Sequence, residues 1–298
     1  MHYRILIGLL TNRSVLSVRH QVQLTKPLYE KRARVVAQIP NFWPLVLEQA
    51  PPDIDEYIQP TDSALLLTSL TNISVSHFEI ENGGNGDPRS VSIRWEFTEN
   101  EYFEDRVLEK KFWYRRALAG YSGLVSEPVE IRWKEGKDLT DGLLSMVKSV
   151  WDEEQQAIKN GTVSAIKKEK KPLNAKQQSL KEKIQSVGLG GLSFFAWFGF
   201  IGDRISAEES QMANAREAEN QRRRKAGQAL LPEEDEDEDD DDDEEDDLEI
   251  FPDGDGLALA ITDDLWPGAL KYFSKFTVPP PISMRCRANT RRSPSPRG

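Results

Sequence analysis

The sequence predicts an α+β fold, because helical and strand-like apolar spacings occupy separate blocks of the 298-residue chain. An N-terminal block spaces its apolar side chains along one face of a helix, at Leu24, Leu28, Val35 and Ile39. Pro40 ends that block, and a central block alternates apolar and polar residues over 91–97. Helical spacing returns after Gly136. These three observations predict an antiparallel sheet flanked by helices.

Each block predicts particular elements. Residues 1–23 are basic and have no regular pattern, so an irregular N terminus is expected, followed by a first helix over 24–44. Runs near 71–80, 91–97, 106–113 and 129–133 predict about four strands. One folded domain is expected over 45–275, interrupted by a basic linker at 159–187 and a disordered acidic insert at 226–256. A disordered basic tail is expected at 276–298.

The charge of the chain is concentrated in one place. The chain has 39 Lys and Arg against 50 Asp and Glu, and a single unbroken run supplies 15 of those acids. The run comprises Glu233, Glu234, Asp235, Glu236, Asp237, Glu238, Asp239, Asp240, Asp241, Asp242, Asp243, Glu244, Glu245, Asp246 and Asp247. Such a tract repels itself and cannot bury apolar surface, so it is expected to attract a basic partner without contributing to the fold.

Several classes of protein are excluded by composition. The single cysteine, Cys286, cannot form an internal disulfide, and the three histidines are too scattered in sequence to suggest a metal site. The apolar stretch at 1–10 is too short to span a membrane. No nucleophile elbow or other activation motif accompanies the Ser, His and Asp residues. No catalysis, no cofactor and no membrane partner are therefore expected.

Five separated segments resemble those of one known family, in the same order. They are KPLYEKRARVVAQIPNFW (26–43), ENEYFEDRVLEKKF (99–112), IRWKEGKDLT (131–140), SFFAWF (193–198) and ITDDLWPGALKYF (261–273). The family is that of the nucleosome assembly proteins, and the sequences of the five segments are most similar to its SET-like, or template-activating factor, branch. The resemblance implies an "earmuff" fold, in which a long dimerising helix precedes an antiparallel sheet backed by helices.

The resemblance also implies a function, that of a nuclear histone chaperone which binds core histones and promotes nucleosome assembly or chromatin remodelling without catalysis. It places histone contacts on an acidic pair at the underside of the domain, Asp263 and Asp264, and the acidic run Glu233–Asp247 adds bulk charge. Dimerisation falls on Leu24, Leu28, Val35 and Ile39 of the first helix. Because the segment before Lys26 is short for the family, a truncated start is expected, with a homodimer once that helix is complete.

The aromatic residues of the five segments are expected to form the core. They are Phe42, Trp43, Tyr102, Phe103, Phe112, Trp133, Phe194, Phe195, Trp197, Trp266 and Tyr272. They lie among apolar strand and helix positions, where burial of about 1.5 to 3 kcal/mol each is a simpler role than stacking on nucleic-acid bases. No sequence-specific binding of nucleic acid is therefore expected.

Other functions stay open. Asp263 and Asp264 could serve a carboxylate-metal enzyme if further oxygen or imidazole ligands come from elsewhere in the fold. The resemblance also allows a regulator of a histone acetyltransferase or of a protein phosphatase, and the sequence does not choose between them. A purely structural adaptor would bind histones no better than any polyanion does.

Overall fold

The computed structural model describes residues 2–161, 172–231 and 248–277, with the side chains of the first helix described from Val15 onward. Helices α1 (His2–Val36), α2 (Phe42–Glu48), α3 (Pro52–Asp55) and α4 (Pro60–Ser69) precede the sheet. The strands are β1 (Leu70–Ser76), β2 (Val91–Phe97), β3 (Val107–Arg116) and β4 (Ser122–Ser126). The sheet is followed by α5 (Leu143–Lys159), α6 (Ala175–Val187), a 3-10 helix (Phe194–Gly199), α7 (Ala207–Lys225), α8 (Gly254–Leu259), a π-helical turn (Ala260–Leu265) and α9 (Ala269–Thr277). The α+β prediction is confirmed.

The sheet is antiparallel in the order β1-β2-β3-β4, so strands that are neighbours in sequence are neighbours in space. Residues facing each other across it include Trp95 opposite Leu108 and Phe112 opposite Ser126. In β3 the buried positions alternate with exposed ones from Val107 to Phe112, as expected of a strand with one buried face. The inner face carries the core.

The fourth predicted strand, at 129–133, is wrong. The amide of Val129 donates to the carbonyl of Phe198 (2.8 Å), and Trp133 forms only an isolated bridge with Phe103. The fourth strand is Ser122–Ser126, which follows β3 through a short turn that places Gly120 at φ +97°. A partner a few residues away closes a small loop at low entropic cost, and it takes the edge of β3 before a more distant run can.

An aromatic turn, defined as the 3-10 helix Phe194–Gly199, fills the centre of the core, and every residue in it is buried. Its rings meet the inner face of the sheet, with Phe194 5.1 Å from Trp95 and Trp197 5.4 Å from Phe112 between ring centroids. Asp62 of α4 fixes its start, because its carboxylate accepts hydrogen bonds from the Ser193 hydroxyl (2.6 Å) and the Phe194 amide (2.7 Å). Burial raises the pKa of Asp62, although these hydrogen bonds oppose the rise.

Helix α1 corrects two expectations, because residues 1–23 are not irregular and the first helix does not span 24–44. The helix begins at His2 and ends at Val36, and Pro27 lies inside it. Its half-buried positions, Val15, Val18, Val22 and Tyr29, are three, four and seven residues apart and form one stripe. We call these four residues the valine stripe, and it shows that the half-buried side of the helix begins well before Leu24. Asn41, at φ 54°, turns the chain before α2.

Three other boundaries differ from the expected ones. The basic linker expected at 159–187 contains α6, whose Leu180 and Ile184 are buried and which packs against α5. The acidic insert expected at 226–256 ends earlier, because Leu248 begins a buried segment that leads into α8. Helix α9 extends to Thr277, beyond the expected start of the tail at residue 276. Residues 278–298 lie outside the described part of the chain.

Candidate functional site

The described segment that follows the acidic run is fixed to the core. Leu248, Ile250 and Phe251 are buried, and the carboxylate of Glu249 accepts hydrogen bonds from the amides of Ile201 (2.9 Å) and Phe251 (3.1 Å). Four apolar or amide-paired residues in succession leave little freedom to this segment. The residues that directly follow the acidic run are therefore held in a fixed position on the core.

A buried lysine lies beneath the same segment. Lys110 of β3 is completely buried, and its ammonium group donates to the carbonyls of Glu127 (3.0 Å), Phe198 (3.1 Å) and Phe200 (2.8 Å). Burial lowers the pKa of Lys110 to about 7, while the nearby charges of Glu249 and Glu127 act in the opposite direction. The three acceptors use all three donors of the ammonium group, so Lys110 ties β3 to the end of the aromatic turn.

An open cleft of about 540 Å³ lies between α3 and α8. Carboxylates line it from both sides, with Asp53 and Glu56 on one side and Asp253 on the other. The Tyr57 hydroxyl donates to Asp253 (3.3 Å), and burial followed by the charge of Asp253 raises the pKa of Tyr57. Leu257, Leu259 and Ala260 supply an apolar floor, so the cleft can hold an aliphatic chain that carries a positive charge.

The predicted acidic pair lies next to this cleft. Asp263 and Asp264 are exposed in the π-helical turn, one turn beyond Ala260 of the cleft floor. The Tyr272 hydroxyl donates to Asp264 (2.6 Å), and burial followed by this contact raises the pKa of Tyr272 to about 12. Lys271 and Lys275 lie over the ring of Tyr272, so the pair has cations nearby.

We call these five carboxylates the acidic face: Asp53, Glu56, Asp253, Asp263 and Asp264. The last two were predicted from the family resemblance, whereas the cleft was not predicted. The signal was present in PPDIDEY, where Asp53 lies in the short helix α3 and Glu56, three residues later, directly follows it. Their neighbour across the cleft comes from 200 residues later in the chain, and no local pattern reveals that contact. The run Glu233–Asp247 lies outside the described residues.

The predicted dimerisation residues divide into two groups. Leu24, Leu28 and Val35 are 62%, 65% and 54% exposed, and they lie outside the half-buried valine stripe. Together with Leu16 they form what we call the outer stripe. Ile39 does not belong to it, because α1 ends at Val36 and Ile39 packs against the core. Ile39 therefore differs from the other three residues, and its assignment to dimerisation stays a prediction.

Two absences concern only the residues that the structure describes. Within 2–161, 172–231 and 248–277, no three His, Cys, Asp or Glu side chains are grouped so as to hold a metal ion. Asp263 and Asp264 thus have no third ligand among these residues. In the same part of the chain, no helix combines the length and the apolar character needed to cross a membrane.

The sequence profile of the nucleosome assembly protein (NAP) family matches residues 18–275. The chain belongs to this family. A putative nucleosome assembly protein of Schizosaccharomyces pombe is 37% identical over 132 residues, which are 41% of this chain and 52% of that protein. Protein SET of Drosophila melanogaster is 35% identical over 125 residues, covering 41% and 44%. The chain spans about half the length of these curated relatives.

Solved structures of the NAP fold are similar to the whole described body. The crystal structure of Ccp1 has a TM-score of 0.53 at 24% identity, and it covers 94% of this chain and 96% of its own. That of Vps75 has a TM-score of 0.53 at 19% identity, with 93% and 100% covered. At such identities the likeness shows the fold, and it confirms the earmuff prediction for this NAP-family chain.

The family segments meet in two clusters within the NAP-family fold. In one, segments 99–112, 131–140 and 193–198 come together through the rings of Phe103, Trp133 and Phe195, whose centroids are 5.6 to 5.8 Å apart. In the other, segments 26–43 and 261–273 meet at Tyr29 and Trp266, 4.2 Å apart. The aromatic residues thus form core, as predicted, with Tyr102, Trp133 and Trp266 at its margin.

Proposed function

We propose that this NAP-family protein is a nuclear histone chaperone that binds core histones by charge and carries out no catalysis. The single observation that carries the proposal is the family match over residues 18–275. The acidic face gives the proposal a physical site. Three of its carboxylates, Asp53, Glu56 and Asp253, line a partly apolar cleft that suits the stems of Lys and Arg side chains, and Asp263 and Asp264 follow one helical turn beyond the cleft floor. The acidic run adds negative charge next to a fixed segment.

The mechanism that follows is electrostatic exchange. Basic histone segments are held on DNA by its phosphates, and a protein with dense carboxylates competes for the same Lys and Arg side chains. The carboxylates Asp263 and Asp264 offer acceptors on a helical element, whereas the acidic run offers bulk charge. This exchange requires neither ATP nor a metal ion. Histones pass to DNA when its phosphates outcompete the carboxylates of the protein.

Dimerisation through α1 belongs to the same proposal. The outer stripe leaves Leu16, Leu24, Leu28 and Val35 exposed on one face of a 35-residue helix. Large apolar side chains repeated on one helical face are typical of an interface with a second helix. A second copy of this chain would bury them and bring two acidic faces into one particle.

Two other functions remain as alternatives. A carboxylate-metal enzyme would use Asp263 and Asp264, and an increase in melting temperature on adding a divalent ion would favour it. Regulation of a histone acetyltransferase or of a protein phosphatase is compatible with the same fold, and no contact among the described residues favours either. The proposal of histone binding does not depend on them.

The proposal is tested by titrating the protein against labelled core histones at increasing salt. Because exposed charges are screened at high ionic strength, affinity should fall by about tenfold or more between 0.15 M and 0.5 M salt. A glutamine variant at Glu135 and Glu182, exposed carboxylates outside the acidic face, controls for a general loss of negative charge. Its affinity for core histones should equal that of the wild type at each salt concentration. Failure to bind core histones at low salt would overturn the proposal.

A further inference from the structure

In addition to its half-buried valine stripe, helix α1 contacts the rest of the described fold, which we call the body, through two arginines that lie about 20 Å apart along its axis. Arg32 donates to the carbonyls of Trp266 (2.5 Å) and Pro267 (3.3 Å). Arg19 donates to the carbonyls of Gly84 (3.0 Å) and Gly86 (2.8 Å) in the loop between β1 and β2. Two separated contacts define the direction of a rod, whereas one contact leaves it free to pivot.

The contact at Arg32 is a half-buried cage. The guanidinium group lies 4.4 Å from the ring centroid of Trp266, 4.7 Å from that of Tyr29 and 5.8 Å from that of Trp43. Burial lowers the pKa of Arg32. The carbonyls that it binds directly follow the π-helical turn, so the arginine caps the helical segment that carries Asp263 and Asp264. The first attachment therefore joins α1 to the acidic face.

The contact at Arg19 is made with a loop that has its own internal support. The Glu79 carboxylate accepts hydrogen bonds from the Asp87 amide and the Ser90 hydroxyl, each at 2.9 Å. The Gly86 amide donates to the carbonyl of Glu79 (3.2 Å). These bonds hold the carbonyls of Gly84 and Gly86 in place, so a planar guanidinium group can bind both at once. The second attachment joins α1 to the loop that connects β1 and β2.

The two attachments leave the outer stripe free. Arg19 and Arg32 are half-buried, as are Val22 and Tyr29, whereas Leu24 and Leu28 are exposed. If a second copy of the chain binds the outer stripe, the direction of α1 relative to its body sets the separation of the two acidic faces. A ligand that touches both faces gains from that fixed separation, because its second contact becomes intramolecular.

We propose that Arg19 and Arg32 are positioning residues that hold α1 at a fixed angle to the body, so that two acidic faces of a dimer grip one basic ligand at two points. This inference rests on the proposed function and adds bivalent binding to it. The ligand class is a protein with two Lys- and Arg-rich segments at a defined distance. Neither arginine touches that ligand in this account.

The test uses synthetic ligands made from one Lys/Arg-rich peptide, supplied either alone or as two copies joined by proline-rich spacers of increasing length. Such spacers are stiff, so each length samples a narrow range of distances. The wild type should bind the paired peptide best at one spacer length. Arg19→Gln should lower that maximum by about tenfold and flatten the length dependence, while binding of the single peptide stays unchanged.

Two further variants sharpen this test. Lys26→Gln removes one exposed charge from α1 between the two arginines and should keep the sharp length optimum. Arg32→Lys retains the charge but loses the planar group that stacks on Trp266, so it should also flatten the optimum. A melting curve for each variant checks that the body stays folded.

A structural readout accompanies the binding series. Spin labels are placed at Gln23→Cys on α1 and Gln156→Cys on α5, in a Cys286→Ser background diluted with unlabelled chain. They report the distance between α1 and α5 within one copy, which changes when α1 pivots. Arg19→Gln should broaden the distance distribution and Lys26→Gln should not. An unchanged distribution and length optimum in Arg19→Gln, or a wild-type chain that remains monomeric, would overturn the inference. Failure of the wild type to bind the single peptide at low salt would instead overturn the proposed function.

Discussion

The aromatic turn and the outer stripe of α1 are both rich in large apolar side chains, yet the first is buried and the second is exposed. In the turn Phe194–Gly199 every residue is buried against the sheet, and Asp62 fixes its first amide. In α1 the leucines at 24 and 28 are more than 60% exposed. The first group stabilises one copy of the chain, and the second is available to another copy. Apolar character in a sequence therefore does not say which molecule will cover it.

The largest expected effect separates these two uses of apolar surface. Replacing Leu24 and Leu28 together by glutamine should weaken dimerisation by about 1,000-fold or more. Four leucines per dimer, each more than 60% exposed in one copy, then each lose about 1 to 2 kcal/mol of burial. The melting temperature of the body should change little, because neither side chain contacts the core. Sedimentation at several concentrations measures the change.

Leu67→Gln is the matched control for that experiment, because Leu67 is a half-exposed leucine on α4 rather than on α1. It should leave the dimer intact. Equal sedimentation of the double variant and the wild type would show that the outer stripe is not an interface, and the contrast with the aromatic turn would then have another cause.

A smaller effect is expected from the lysine at the end of the aromatic turn. Burial lowers the pKa of Lys110 to about 7, whereas an unfolded lysine titrates near 10.4. Between these values the unfolded chain binds more protons than the folded one, so the free energy of unfolding contributed by this group rises with pH. The rise from pH 7 to about pH 9.5 should amount to roughly 2 to 3 kcal/mol.

Urea unfolding at the two pH values measures that slope, and Lys110→Met provides the comparison. The methionine side chain does not titrate, so the difference between the two proteins isolates Lys110 from Glu249 and the other groups nearby. Identical slopes in both proteins would mean that Lys110 keeps an ordinary pKa, and that its three carbonyl contacts compensate its burial.

Much of the fold could be predicted from the sequence because the decisive patterns are local. Alternation over 91–97 gives β2 directly, and the apolar spacing from Leu143 to Trp151 gives α5. The family segments predicted the aromatic core. The fourth strand was placed wrongly because 129–133 has the better strand composition, whereas Ser122–Ser126 is held by its short connection to β3.

The candidate site was less accessible to sequence reasoning, for a physical reason. Asp263 and Asp264 were found through a family segment, but the cleft joins residues from α3 and α8 that are 200 positions apart. The early part of α1 was missed because its stripe is made of valines, which favour strands as much as helices. Glu249 belonged by composition to the acidic insert, and only its contacts show that it is held by the core.

The most direct test of the central claim compares four proteins for binding of core histones at one low salt concentration. They are the wild type, a variant with Glu233–Asp247 replaced by a neutral Gly/Ser linker of equal length, Asp263→Asn with Asp264→Asn, and the combination. Each change should weaken binding without abolishing it, and the free-energy losses should add, since a charged run and a helical pair share few partners. If the linker alone abolishes binding while the asparagine pair has no effect, the folded body is only a carrier for the acidic run, and the account is wrong.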